Sequence, residues 1–294
     1  MISDFKIVIV NLNLKEDTLE LLDSLVRAGA SPEQIIIIDN CSTDGSISAF
    51  RSQFQDRLQI IQNDRNYHFC AACNQGFQAA LDQGAKWILL LNNDTYVAND
   101  FFVEIEKVLQ TNPPYTLFSP AIFYHTNPDK IWFLGSYLVP GTLIAYNPYL
   151  KKRIPQETPN LLSVDFVSGC AMIIHKDVFE KIGFFEPSLL IYWDEVDYCW
   201  RARQAGFRMA CITRARMWHK ISETMSRQKP EALYLRTRNQ VRFYRKYSHG
   251  LQRPIMYLFA AYKSILVLGR SVLKGEFELI KPVVRGWING WNAP

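Results

Sequence analysis

The sequence predicts an α/β fold, a mostly parallel sheet with helices on both faces. Two observations predict it. Short apolar runs recur along the first hundred residues, and amphipathic stretches at helical spacing separate them. Several runs close on polar residues, and sheets of this kind bind ligands beyond the carboxyl ends of their strands.

Phe5-Lys6-Ile7-Val8-Ile9-Val10 is short and β-branched, which predicts a buried strand ending at Asn11. Leu19, Leu22, Leu25 and Val26 recur at helical spacing, with Gly29 as the stop. Ile35-Ile36-Ile37-Ile38 is a second buried strand closed by Asp39-Asn40. Asp44-Gly45 is a turn, and Ser46 to Gln55 a short helix. Leu58-Gln59-Ile60-Ile61-Gln62 is a third strand, Asn74 to Leu81 a helix with Gly84 beyond it, and Trp87-Ile88-Leu89-Leu90-Leu91 a fourth strand. From about 111 to 163 prolines break the pattern into antiparallel strands and loops, with Lys151-Lys152-Arg153 on a solvated loop. Val164 to Ile174 resumes as a strand interrupted at Ser168-Gly169. Asp177 to Lys181 is a short helix ended by Gly183, and the segment from Asp194 to Gly206 is helical.

With 294 residues, 48% of them hydrophobic and 21% charged, the chain is a folded globular protein with room for one large domain and an appendage. Of six cysteines, Cys70 and Cys73 form a lone C-x-x-C with no second pair to complete a zinc site. Buried free thiols in a reducing compartment are expected. The start Met1-Ile2-Ser3-Asp4-Phe5 lacks the pattern of a secretory leader, so a cytoplasmic location is expected. The net charge of +5 conceals an asymmetry. Residues 1–200 hold 14 basic and 24 acidic side chains, and residues 201–294 hold 19 and 4. The basic last third calls for an anionic partner.

Five stretches carry candidate chemistry. Leu91-Asn92-Asn93-Asp94 delivers a carboxylate and two amides to a strand end. Asp94 is either a cap or turn residue, or a ligand of Mg²⁺ or Mn²⁺, ions that take few carboxylates when phosphates supply the other oxygens. Asp39, closing four isoleucines, needs a partner and could accept from a nucleobase or ribose. Asn66 and Asn74 lie in a polar stretch entering a helix, where caps and turns also explain asparagines. In Asp194-Glu195-Val196-Asp197 the like charges repel. Asp197 is expected to pair with Arg201 four residues on. Asp194 and Glu195 suit a helix N-terminus, and Glu195 also suits a general base. His219, in Met217-Trp218-His219-Lys220, is either an ordinary core or surface histidine or a nitrogen ligand that completes a site with Asp94.

The order and spacing of these stretches resemble the family 2 glycosyltransferases. The likeness runs through Val8-Ile9-Val10-Asn11, Ile38-Asp39-Asn40 with Ser42-Thr43-Asp44-Gly45-Ser46, Asn66, Asn74-Gln75-Gly76 and Leu91-Asn92-Asn93-Asp94-Thr95. It continues in Val167-Ser168-Gly169-Cys170-Ala171-Met172, Gly183-Phe184-Phe185-Glu186, Asp194-Glu195-Val196-Asp197-Tyr198, His219 and Arg238-Asn239, and covers about residues 4–250. Within the family the chain is similar to bacterial rhamnosyltransferase-like members that build cell-surface polysaccharide. The resemblance implies a GT-A fold, a nucleotide-diphosphate-sugar donor, Mg²⁺ or Mn²⁺, and inversion at the anomeric carbon. By position it implies Asn11, Asp39, Asn66, Asn74, Asn93, Ser168 and Gly169 around the nucleotide-sugar, Asp94 and His219 at the metal, and Glu195 as the base with Asp194 beside it. Two departures stand out: Asn92 replaces the first acid of the metal motif, and Glu186 stands where Asp is usual.

The implied division is a glycosyltransferase domain over 1–250, with its nucleotide-binding part at about 1–110 and its acceptor part at about 111–250, followed by a basic amphipathic helical extension over 251–294. In that extension Lys263, Arg270 and Lys274 line one stripe of a helix opposite an apolar face, with Trp287 and Trp291 beyond. The apolar stretch falls short of the roughly 20 uninterrupted residues of a span. Peripheral contact with an anionic membrane, where a lipid-linked acceptor resides, is one expectation, and packing on the domain is the other. Nucleic acid is not expected, because the basic residues accompany aliphatic runs. dTDP-rhamnose is the donor the likeness suggests. The alternative function is a non-catalytic nucleotide-sugar or glycan-binding relative. A dehydrogenase is disfavoured because no G-x-G-x-x-G follows the first strand.

Overall fold

The computed structural model describes residues 4–221 and 229–292. Met1-Ile2-Ser3, part of the expectation about a leader, lie outside the described residues. Strands β1 (Phe5–Asn11), β2 (Ile35–Asp39), β3 (Gln59–Gln62) and β4 (Trp87–Asn92) alternate with helices α1 (Lys15–Arg27), α2 (Ser46–Phe54) and α3 (His68–Asp82). β1 pairs in parallel with β2 and β4, and β2 with β3. Beyond β4 the chain forms β5 (Thr95–Val97), α4 (Phe101–Leu109), β6 (Leu117–Tyr124), β7 (Ile131–Phe133), the hairpin β8 (Tyr137–Leu138) and β9 (Ala145–Tyr146), and β10 (Leu161–Val164). There follow β11 (Ala171–His175), α5 (Lys176–Ile182), α6 (Asp194–Gln204) and β12 (Met209–His219).

The sheet runs β10-β12-β6-β11-β4-β1-β2-β3. β11 is antiparallel to both β4 and β6, whereas β12 is parallel to β6. The fold is therefore α/β as expected, with its parallel half in β1–β4 and a mixed half beyond. Successive residues of a strand face opposite sides, and both sides here are buried. Ile7, Ile9, Ile35 and Ile37 enter one core layer with Leu21, Leu25 and Phe101. Val8, Val10, Ile36 and Ile38 enter the other with Phe77, Phe179 and Tyr198.

Several elements differ from the expectations. α3 begins at His68, not Asn74, because the polar loop before it winds straight into the helix. The interrupted strand expected from Val164 to Ile174 divides into β10 and β11, separated by the Ser168-Gly169-Cys170 turn. β12 was not anticipated, because its buried residues share the strand with exposed Arg214 and Arg216, and the charges mask the alternation. β6 contains Pro120, which lies where the β6–β12 register shifts, a position that tolerates a missing N–H.

Among the described residues, three α-helices follow β12: α7 (Lys229–Tyr247), α8 (Gln252–Leu273) and α9 (Ile280–Asn292). α9 lies so close to α7 that a Cβ on Gly290 would stand 2.5 Å from the Arg238 carbonyl oxygen. Met256 and Ala260 of α8 pack with Leu143, Phe243 and Tyr244. The opposite side exposes Ile255, Leu258, Tyr262, Ile265 and Val272. α8 is thus packed on one face and bare on the other. One correction applies: the 22 residues of α8 are, by length and composition, long and apolar enough to cross a membrane.

Gly76 sets the distance between α3 and β1. A Cβ there would fall 2.3 Å from Cγ1 of Val8. Gly76→Ala should therefore overpack this layer and lower stability by about 1–3 kcal/mol, measured by urea denaturation. An unchanged midpoint would show that the helix stands further off.

Candidate active site

The carboxyl ends of β1, β2 and β4 are tied by one buried hydrogen-bond network. Asp39 is fully buried and accepts from Asn11 Nδ2 at 2.8 Å and from the Ser42 N–H at 3.0 Å. Asn11 Nδ2 also reaches Ser42 Oγ at 2.9 Å, and Asn11 Oδ1 accepts from Thr18 Oγ1 at 2.8 Å and Asn93 Nδ2 at 3.1 Å. The rim carries Asn13, whose Oδ1 accepts from the Thr43 N–H at 2.9 Å. Asn11 and Asp39, expected against the donor, form the closed floor of this end of the sheet. Asn13, Ser42, Thr43 and Asn93 are its accessible edge.

Two other residues expected around the nucleotide-sugar are held by partners within the chain. Asn74 places both ends of its amide on the Phe185 backbone, at 2.9 and 3.1 Å, and so holds that loop. Asn66 is exposed, but its Oδ1 already accepts from Asn40 Nδ2 and the His68 N–H, each at 2.8 Å. Glu186 caps the short helix Pro187–Leu189 by accepting from the Ser188 N–H at 3.1 Å.

Asp94 and His219 meet although 124 residues separate them. β12 pairs with β5 so that His219 stands opposite Thr95, and His219 Nε2 lies 3.2 Å from Asp94 Oδ1. Trp132 packs edge-on against the imidazole at 4.7 Å. Burial works against a charged imidazole here, but Cys170 and Asp94 outweigh it, and the His219 pKa is pushed up to about 10. Burial also raises the pKa of the Cys170 thiol. One carboxylate and one imidazole fit a hard divalent cation such as Mn²⁺. No third His, Cys, Asp or Glu joins them among the described residues. Ligand oxygens such as phosphates would have to complete the shell.

The acidic cluster opens α6. Asp194 is buried, and burial together with the neighbouring Glu195 raises its pKa well above the ordinary carboxylate range, which disfavours its charged form. Glu195 is partly exposed. Burial also raises its pKa, although backbone N–H groups and Arg236 act against the shift. Asp197 binds Arg201 Nε at 2.7 Å, as expected, and also accepts from the Tyr247 hydroxyl at 2.7 Å. The turn Ser168-Gly169-Cys170 lies between the two acidic groups. A Cβ on Gly169 would stand 3.1 Å from Glu195 Cβ, while the next residue, Cys170, acts on the His219 imidazole electrostatically.

Sequence reasoning gave no individual role to Asn13, Thr18, Ser42 or Cys170. Thr18 is masked by its charged helical neighbours Glu16 and Asp17, and Cys170 reads as an ordinary core thiol. All six cysteines are free, as expected.

The chain is similar to several known proteins. The family model described as Glycosyl transferase family 2 matches residues 6–183. The chain is 26% identical over 297 residues to the low-salt glycan biosynthesis hexosyltransferase Agl10 of Haloferax volcanii, covering 99% of this chain and 92% of that protein. It is 24% identical over 246 residues to the dTDP-rhamnosyl transferase RfbF of Shigella flexneri, covering 80% and 79%. Among solved structures, the mannosyltransferase PcManGT of Pyrobaculum calidifontis, in complex with GDP-Man and Mn²⁺, superposes with a TM-score of 0.59 at 12% identity, covering 99% of this chain and 88% of that one. That likeness is one of fold, the GT-A fold with added C-terminal helices.

Gly169→Ala is expected to push Glu195 by a few tenths of an ångström and to lower turnover about tenfold, because small misplacements of a reacting group are costly. Nucleotide affinity should hold within twofold. Unchanged turnover in a steady-state assay would remove Gly169 from the site.

Proposed function

Because the chain belongs to glycosyl transferase family 2, we propose that it is an inverting, metal-dependent transferase acting on a nucleotide-diphosphate-sugar, dTDP-rhamnose in our reading, with a hydroxyl of a glycan or lipid-linked molecule as acceptor. The chain is a glycosyltransferase of glycan or polysaccharide biosynthesis. The observation that carries the finer reading is the Gly169-Cys170 turn, with Glu195 against one residue and the Asp94–His219 pair against the next. A single displacement needs a base on one side of the sugar and a charged anchor for the leaving group on the other.

In this reading the nucleoside lies over the Asn11–Asp39 floor, against Asn13, Ser42, Thr43 and Asn93. Ser168 and Gly169 border the sugar. Asp94 and His219 hold Mg²⁺ or Mn²⁺, which when bound offsets the charge of the departing diphosphate. Glu195 takes the proton of the acceptor hydroxyl as that oxygen attacks the anomeric carbon, and the bond to the diphosphate oxygen breaks on the opposite face. Asp194 lies beside Glu195, in surroundings where its charged form is disfavoured. Residues 1–110 then form the donor part and 111–250 the acceptor part.

Residues 251–294 supply peripheral contact with an anionic membrane, which places the enzyme on its cytoplasmic face beside a lipid-linked acceptor. The bare apolar stripe of α8 supports this, as do Ile288 and Trp291 on α9, 54% and 53% exposed, in a stretch of chain that also carries Lys263, Arg270, Lys274, Lys281 and Arg285.

Purified full-length protein offered dTDP-rhamnose, UDP-glucose, UDP-N-acetylglucosamine and GDP-mannose should cleave one of them in the presence of Mn²⁺ and lose that activity in chelator. Glu195→Gln should lower kcat about 10²–10⁴-fold, the usual contribution of a general base. Asp94→Asn should raise the Mn²⁺ requirement. Glu195 works only when ionised, so activity falls as pH drops through its pKa, and the acid limb should lie above the ordinary 4.5. Wild-type turnover in either variant would sink the corresponding role.

In flotation assays the protein should rise with phosphatidylglycerol vesicles and less with phosphatidylcholine ones. Leu258→Asp with Ile265→Asp should release it without changing donor cleavage. Equal flotation of that variant would count against contact through α8.

A further inference from the structure

Asn239 has no task in the scheme above, yet it is wholly buried on α7 and fully engaged. Its Nδ2 is shared among three backbone carbonyls, those of Leu189 at 2.9 Å, Ile191 at 3.0 Å and Tyr192 at 2.8 Å. Its Oδ1 accepts from Arg238 Nε at 2.9 Å, and Arg238 Nη2 in turn donates to the carbonyls of Ser188 and Leu189, each at 2.9 Å. All these carbonyls belong to the segment that leads into α6 and its Glu195.

That segment is not a relaxed loop. Leu190, Tyr192 and Trp193 have φ of 69°, 67° and 66°. The left-handed region costs a residue with a side chain about 1–2 kcal/mol, so such a run persists only where its surroundings hold it. The coil must turn sharply twice in four residues to start α6 beside Gly169, and Asn239 gathers the carbonyls that this turning brings together. α7 itself is backed at the same turn by α9, because the carbonyl of Arg238 meets Gly290 at a distance that leaves no room for a Cβ. Aspartate would set lone pairs against carbonyl oxygens, glutamine would overreach, and alanine would leave three carbonyls without their donor.

We propose that Asn239 is a positioning residue for Glu195, holding the strained segment Leu189–Trp193 in the one conformation that delivers the carboxylate to the Gly169 turn. This rests on the reading of Glu195 as the base. It also makes the C-terminal helices part of the catalytic unit, since α7 carries the brace and α9 backs it.

The test uses full-length protein and whichever of the four nucleotide-sugars above is cleaved with Mn²⁺, and measures kcat, KM and affinity for the matching nucleoside diphosphate. Asn239→Ala should lower kcat about 10–100-fold, as a base displaced by about 1 Å would, with nucleotide affinity within twofold. Asn239→Ser keeps one donor and should fall between the two, and it is read in the same way if the alanine variant does not fold. In the Glu195→Gln background, Asn239→Ala should cost less than twofold more, because a misplaced base and a missing base are one defect. Turnover within twofold of wild type in the Asn239 variants would overturn the proposal. So would a loss in the Glu195→Gln background as large as in wild type. Full activity of Glu195→Gln alone would overturn the base assignment instead, whatever Asn239 does.

Discussion

A carboxylate at the end of four buried isoleucines has to find its donors inside the protein. An unsatisfied buried charge would cost more than a domain of this size has to spare. Asp39 is that carboxylate, and the donors it uses, Asn11 and the Ser42 N–H, come from β1 and from the turn after β2. Asn11 cannot turn toward Asp39 without presenting its oxygen to Thr18 and Asn93, which brings in α1 and the end of β4. Asn93 is held in this way and directly precedes Asp94. The position of the proposed metal ligand is thus set by a chain of satisfied hydrogen bonds that begins at a strand end two strands away.

The second determinant is the change of direction at β4. β11 runs antiparallel to β4, and the Asn92 N–H donates to the Cys170 carbonyl at 2.9 Å. That contact carries the Ser168–Cys170 turn to the same edge as Asp94. β12, passing over β6 in parallel, then delivers His219 from the far side. A sheet parallel throughout would have left that edge to β-to-α loops alone. The mixed half brings a turn and a strand end to it.

The three acids at the start of α6 end in three different states. Asp197 is paired with Arg201 and bonded by Tyr247, Asp194 is buried where its charged form is disfavoured, and Glu195 alone retains access to the site. Repulsion among them is relieved by giving each a different environment instead of by separating them. The same helix depends on α7 through Asn239, so the basic last third of the chain is tied to the catalytic half by more than its proposed contact with a membrane.

By itself the sequence determined the elements whose signals are local. Buried strands betray themselves as unbroken runs of isoleucine or leucine, which is why β1, β2 and β4 were legible almost to the residue. An i,i+4 pair such as Asp197–Arg201 follows from helical spacing alone. The order of the polar strand ends was enough to show the resemblance. It could not reveal β12, whose arginines hide its alternation, or the burial that makes Asn11 and Asp39 a floor and turns Asn74 toward Phe185. Nor could it bring Asp94 to His219 or Asn239 to Leu189–Tyr192. Those contacts join residues some 50 to 125 positions apart, and only the crossing of β12 and the seating of α7 bring them together, since a side chain's role depends on which others share its space.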